Sequence, residues 1–266
     1  MTDRRDFIRQ GAALLALAAL APVLPSAAVA KTFGGVSYGP NSLDIYTPDT
    51  DNAPVIVYVH GGAWRAGSRG EARGPAAYFN SLGYIVVSVG YSLSGPADRQ
   101  ADEIGAAVRW VKANISKYGG NPGRVALMGH SAGTHLAALA ALSGRAPGVR
   151  ALIANDTGAY DLAYLAEIHN GRLPVLYAAL NNPSKWNAWS PISYAGGGGM
   201  PVLVAWSGAK FRHQVSTRFA DALAARGHAV TRFDGKGYSH LSIRSAVGRR
   251  GDPLTAAITR FLAAHL

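Results

Sequence analysis

Val125-Ala-Leu-Met-Gly-His-Ser-Ala-Gly-Thr-His-Leu-Ala-Ala-Leu-Ala-Ala-Leu142 is the stretch that decides how this chain folds. Val125–Met128 is a short apolar run of strand composition, and His135–Leu142 carries the small and apolar pattern of a buried helix. Between them stands Gly129-His130-Ser131-Ala132-Gly133, a G-x-S-x-G sequence. A strand that passes into a helix this abruptly forces its central Ser into a strained backbone conformation, and the flanking glycines avoid collisions across the turn. The turn pushes Ser131 Oγ into the open. It also aims the first N–H groups of the helix, Ala132 among them, at the space above that oxygen.

The same alternation extends outward in both directions. Segments of strand composition occur at Thr32–Tyr38, Ser42–Tyr46, Val55–Val59, Tyr84–Val89, Val125–Met128, Ala151–Ala154, Val202–Trp206 and Ala229–Phe233. Between and after them, Ile104, Val108, Val111, Ile115 and Tyr118 share one helical face, as do Val215, Phe219 and Leu223, and Leu254, Ile258, Phe261 and Leu262. The expected fold class is therefore α/β, an eight-stranded, mostly parallel sheet flanked by helices. The first two strands are close enough to form an antiparallel pair at the sheet edge. Ala159–Gly199 is less regular and reads as a small cap inserted after the sixth strand, over the carboxyl ends of the strands where such sheets bind ligands. No linker divides residues 31–266, so they are expected to form one domain.

Composition narrows the chemistry. The 266 residues are 48% hydrophobic and 15% charged, which excludes a disordered chain or a coiled coil. Cysteine is absent, and with it go thiolate catalysis, disulfides and Cys-ligated metal. The net charge is +11, yet the 26 Lys and Arg stand mostly singly between apolar segments, with no basic run of the kind that tracks nucleic acid. Nucleic acid is not an expected partner.

Residues 1–30 read as an address. Asp3-Arg4-Arg5-Asp6-Phe7-Ile8 resembles the twin-arginine export signal; the apolar run Gly11–Ala21 follows, and Ala28-Val29-Ala30 has the shape of a signal-peptidase site. The apolar run is short for a membrane span, which needs roughly twenty residues. Cleavage after Ala30 is expected, leaving a periplasmic or secreted chain that meets the membrane only during export.

Two further segments complete a chemical pattern around Ser131. His60-Gly61-Gly62-Ala63-Trp64 follows the third strand, and so glycine-rich a loop lets the N–H groups of Gly62 and Ala63 approach a developing oxyanion alongside that of Ala132. A hydroxyl nucleophile also needs a base within hydrogen-bonding reach. His240, in Gly237-Tyr238-Ser239-His240-Leu241, lies in the loop past the last strand, where the chain returns over the turn at Ser131. His60 and His130 fall inside glycine motifs and suit loop orientation; His135 lies on the helix after Ser131, and His213, His228 and His265 read as surface or helix-end residues. Trp64, Tyr91, Tyr160, Trp186 and Trp189 suit the core better than a pocket wall.

On HGGAW, GHSAGTHLAAL, the Asn121-Pro122-Gly123-Arg124 approach, GAYDL and SHLSI, the chain from about Ser42 to Phe261 resembles α/β-hydrolase-fold serine esterases, both the hormone-sensitive-lipase-like and the bacterial feruloyl or acetylxylan esterase-like groups. It is also similar to arylformamidases. The resemblance implies a Ser–His–acid triad, no cofactor and no metal, and hydrolysis of a small-molecule ester through an acyl-enzyme. A formamide-cleaving enzyme and a noncatalytic binder on the same scaffold are the alternatives. Ala63 replaces the third glycine of many lipase-type loops, a change that leaves the backbone donor in place.

The resemblance also implies an acid in the loop after the seventh strand, here Ser207-Gly208-Ala209-Lys210-Phe211-Arg212-His213, which contains no carboxylate. Asp156, at the end of the sixth strand, is the first candidate, since the role needs only a carboxylate on the His Nδ1–H. Asp161 and Asp234 remain as alternatives, as does a site without an acid.

Overall fold

Eight strands form one sheet in the computed structural model, which describes residues 31–266: β1 (Lys31–Ser37), β2 (Ser42–Thr47), β3 (Ala53–Val59), β4 (Ile85–Val89), β5 (Gly120–His130), β6 (Ala151–Asn155), β7 (Val202–Ser207) and β8 (Val230–Gly235). The expected export signal, residues 1–30, lies outside the described residues. Strand order is β1-β2-β4-β3-β5-β6-β7-β8. β2 runs antiparallel to both β1 and β4, and every other pairing is parallel. β3 and β4 are almost continuously apolar because both of their faces are covered, whereas at the edges β1 exposes most of its residues and β8 half of them.

Helices α1 (Arg73–Asn80), α2 (Ala97–Asn114), α3 (Ala132–Leu142), α4 (Leu162–Glu167), α5 (Trp186–Trp189), α6 (Lys210–Ala225), α7 (His240–Ala246) and α8 (Pro253–His265) complete the chain. The two-residue alternation along the strands separates two cores. Val55, Val57, Leu127, Leu152 and Val204 pack under α2, α3 and α6, while Ile56, Tyr58, Met128, Ile153 and Leu203 pack under α1, α7 and α8. Each such Val, Leu or Ile contributes about 1.5–3 kcal/mol by leaving water. Ile104, Val108 and Val111 of α2 and Phe219 and Leu223 of α6 are fully buried, as their helical spacing requires.

This topology gathers the site. The chain passes from β3 to β4 on one side, then crosses back to β5 on the other, so the loops leaving β3 and β5 emerge side by side at the carboxyl ends of the strands. β6, β7 and β8 follow in order and deliver their own loops to the same end. β5 is longer than its apolar stretch: Ala53 pairs with Gly120 and Val55 with Val125, so residues 121–124 bulge out where Pro122 has no N–H to give. Between β6 and β7, residues 156–201 carry α4, α5 and short 3-10 turns.

Candidate functional site

Ser131 stands between β5 and α3 with φ 56 and ψ −122, a conformation that costs a non-glycine residue roughly 1–3 kcal/mol. The cost is met by packing that leaves no room for another path. A Cβ on Gly133 would lie 2.1 Å from Val59 O, and one on Gly129 would lie 2.4 Å from Gly133. Ser131 N–H donates to Asn155 O at 3.1 Å, and Thr134 Oγ1 donates to the same carbonyl at 2.8 Å, which ties the turn to β6.

His240 is the first residue of α7. Ser239 and Ser242 cap that helix reciprocally, each side chain accepting the other's backbone N–H, so the imidazole leaves from a fixed backbone. His130 Nε2 donates to His240 O at 3.0 Å, and the two rings lie 4.7 Å apart. His240 Nε2 is 2.9 Å from Ser131 Oγ, and its Nδ1 is 2.7 Å from Asp156 Oδ2. The structure thus brings Ser131, His240 and Asp156 into one unbroken chain of hydrogen bonds.

Asp156 is fully buried just past β6 at φ 59, with Oδ1 accepting Ser207 N–H at 2.8 Å. Burial pushes its carboxyl up, but the bond from His240, the Arg212 guanidinium and the Ser207 N–H outweigh burial and hold it below the ordinary carboxylate range. An ionised Asp156 only accepts, so Nδ1 of His240 carries the proton and Nε2 presents its lone pair to the Ser131 hydroxyl. Asp161 is elsewhere engaged, accepting Tyr164 N–H as the N-cap of α4 and pairing with Arg218 at 3.0 Å. Asp234 lies on β8, opposite Trp206, with its side chain exposed.

The loop after β3 folds against Ser131. A Cβ on Gly61 would sit 3.2 Å from Ser131 Cβ, and Gly62, at φ 118, has no space for one because Ala66 O would lie 2.0 Å away. Ala63 and Trp64 follow at φ 51 and 64. Among the described residues the N–H groups of Gly62 and Ala63 make no backbone hydrogen bond, and Ala132 N–H is an unpaired donor of the first turn of α3. The loop is anchored behind the site: Trp64 Nε1 donates to His135 Nδ1 at 3.0 Å, and His135 Nε2 donates to Trp189 O at 2.7 Å. Trp64, Tyr91, Tyr160 and Trp189 are all core residues, and Trp186 packs partly buried against them.

His228 corrects its reading as a surface or helix-end residue. It is buried, with both ring nitrogens engaged by Met200 O and Ala195 O. Arg212 is a residue whose place the sequence reading did not see. It lies in the first turn of α6, 4% exposed, and donates from Nη1 to Asp156 O at 3.0 Å. Its signal was its phase: Arg212 is three residues before Val215 on the buried stripe of α6, and a cation on a core stripe demands a buried partner. Two imidazoles and a carboxylate, His130, His240 and Asp156, place ligand-type atoms within 4.8 Å of one another; both ring nitrogens of His240 are engaged, by Asp156 and Ser131, and His130 Nε2 donates to the His240 carbonyl.

The BD-FAE family model matches residues 43–223. Esterase LipQ of Mycobacterium tuberculosis is 33% identical over 256 residues, covering 85% of this chain and 61% of LipQ, so the chain spans about three fifths of that relative's length. The kynurenine formamidase of Salmo salar is 30% identical over 168 residues, covering 59% of this chain and 52% of the formamidase. Among solved structures, a truncated carbohydrate esterase from gut microbiota superposes with a TM-score of 0.76 at 19% identity, over 88% of this chain and 95% of that one. An elbow after β5, a glycine loop after β3 and a histidine after β8, carried on this sheet order, agree with those likenesses: the chain has the α/β-hydrolase fold and belongs to the BD-FAE family.

Proposed function

We propose that this protein is an exported carboxylic ester hydrolase in which Ser131 is the nucleophile, His240 the general base and acid, and Asp156 the orienting carboxylate. The observation that carries the reading is the hydrogen-bond chain from Asp156 through His240 to Ser131. As Ser131 Oγ attacks the acyl carbon, His240 Nε2 takes its proton, and the N–H groups of Gly62, Ala63 and Ala132 hold the oxyanion. His240 then gives that proton to the departing alcohol. Water repeats both steps on the acyl-enzyme and frees Ser131. The ester-cleaving reading is favoured over a formamidase by the wider match to LipQ, and over a noncatalytic binder by the intact geometry of all three side chains. Export is supported by the Arg4-Arg5 signal and the small residues up to Ala30.

The test is steady-state hydrolysis of p-nitrophenyl acetate, butyrate and octanoate by residues 31–266, with Ser131→Ala beside it. Turnover that disappears in Ser131→Ala is expected. Turnover of aryl formamides in place of esters would move the reaction to a C–N bond, and failure of a fluorophosphonate probe to label folded protein at Ser131 would end the hydrolase reading.

A further inference from the structure

We propose that Arg212 is the positioning residue of the Asp156–His240 pair: the loop after β7, which carries no carboxylate, supplies instead a buried cation that fixes the acid delivered by β6. The proposal rests on the triad reading of Ser131, His240 and Asp156 given above.

Arg212 cannot be a bystander in this packing. A guanidinium at 4% exposure on the core stripe of α6 has left water and must find acceptors inside the protein. Asp156 provides them, its carbonyl oxygen at 3.0 Å from Nη1 and its Oδ2 at 3.7 Å from the same nitrogen. Asp156 itself needs holding, because φ 59 lies in the left-handed region that few non-glycine residues occupy without tertiary support. Three of its contacts come from β7 and the first turn of α6. Its N–H donates to Ala205 O, its Oδ1 accepts from Ser207 N–H, and its carbonyl accepts from Arg212. Its Oδ2 accepts from His240 Nδ1 at 2.7 Å, with Arg212 Nη1 further off at 3.7 Å. The β7–α6 connection therefore grips Asp156 through its backbone and its Oδ1, and leaves Oδ2 to accept the imidazole N–H with the Arg212 charge beside it.

Charge points the same way. Asp156 is faced by His240 from α7, by His130 from the end of β5, by the Tyr160 and Tyr177 hydroxyls from the segment between β6 and β7, and by Arg212 from α6; Arg244 of α7 acts on His130. His130 is held neutral down to about pH 3 by its burial, and the tyrosines are neutral. Arg212 is thus the permanent cation beside Asp156 among the described residues, and it opposes protonation of the Asp156–His240 pair as a unit.

The experiment is the pH profile of kcat/KM on p-nitrophenyl acetate for wild type, Arg212→Gln, Arg212→Met and Arg212→Lys, with melting temperatures measured alongside. Arg212→Gln keeps a polar side chain and removes the charge, so the acid limb is expected to move to higher pH by about half a unit or more. Arg212→Met removes both and is expected to lower kcat roughly 10- to 100-fold, with KM little changed, as the imidazole loses its fixed aim. Arg212→Lys keeps the charge and is expected to return the limb toward its wild-type position. An acid limb that stays put in folded Arg212→Gln would overturn the proposal, whatever happens to stability. If Arg212→Met does not fold, the comparison of Gln with Lys decides alone. The Nδ1 proton resonance of His240, followed by NMR in resting protein, supplies a readout without substrate: its titration is expected to shift upward in Arg212→Gln. Lack of ester turnover by wild type with that shift present would count against the hydrolase reading alone.

Discussion

Asp156 Oδ2 lies 2.7 Å from His240 Nδ1 across 84 residues of chain, while Asp161, only five residues further on, accepts the Tyr164 N–H as a helix cap. The two carboxylates are close in sequence and engaged by different partners. Asp156→Asn puts an amide in place of the ionised acceptor and favours the wrong imidazole tautomer, so kcat is expected to fall by about 10³- to 10⁴-fold with the fold intact. Asp161→Asn keeps a capping residue but loses its charge to Arg218, and a pair in which that Arg is half exposed is worth about 0–1 kcal/mol. Measured kcat and Tm for the two variants check both assignments: a large kcat loss in Asp161→Asn with none in Asp156→Asn would exchange them.

Ala63, at φ 51, occupies backbone space where glycine is at ease. If its role is to offer an N–H, the methyl group is incidental. Ala63→Gly relieves left-handed strain of about 1–2 kcal/mol but frees the unfolded chain by about 0.4–1 kcal/mol, and the two effects oppose one another. The variant is expected to keep kcat within a few-fold of wild type and Tm within a few degrees. A drop in kcat of a hundredfold would place the Ala63 side chain, and not its backbone, in the reaction.

The sheet was legible because burial on both faces writes long apolar runs such as Val55–Val59, and the turn at Ser131 because only glycine fits where Gly133 meets Val59 O. Local sequence carries that kind of information well. Strand order carries less: β4 lies between β2 and β3 through long-range pairing that no local pattern records. Asp156 was reached by excluding an acid after β7, and its contact with His240 depends on how far two loops project. Arg212 was visible as a basic residue in the acid-free loop, but its partner was not, since the pairing spans 56 residues between different elements. His228 was misread because the carbonyls of Met200 and Ala195 that hold it come from an irregular segment without a sequence signature.

The export reading predicts a mass. Removal of residues 1–30 takes away three Arg and two Asp and leaves 236 residues beginning at Lys31 with a net charge of +10. Mass spectrometry of the exported fraction is expected to show that amino terminus, and replacing Arg4 and Arg5 together by Lys is expected to keep the precursor inside the cell. An intact Met1 in the periplasmic fraction would refute cleavage after Ala30.

Stability should fall on mild acidification, driven by buried histidines and not by carboxylates. Burial lowers the imidazoles of His60, His130 and His135, the second to about 3 and the third to about 4, against an ordinary value of 6.5. His135 has no freedom to charge, because its Nδ1 is the acceptor for Trp64 and a proton there would displace that donor. Between pH 6.5 and those lowered values the unfolded chain binds protons that the folded protein refuses, so stability rises with pH across this window and is lost as pH falls through it. Each such imidazole contributes a slope of roughly 1 kcal/mol per pH unit well below its ordinary value. The lowered carboxyl of Asp156 acts in the same direction, but only below the ordinary carboxylate value of 3.8. Urea unfolding between pH 7 and pH 5 is therefore expected to show a falling midpoint. His135→Gln, which breaks the link from Trp64 to Trp189, should be less stable throughout yet lose stability less steeply on acidification. A midpoint that is flat from pH 7 to pH 5 in wild type would mean that these imidazoles take up protons in the folded state, and with them that the Trp64–His135–Trp189 bridge opens.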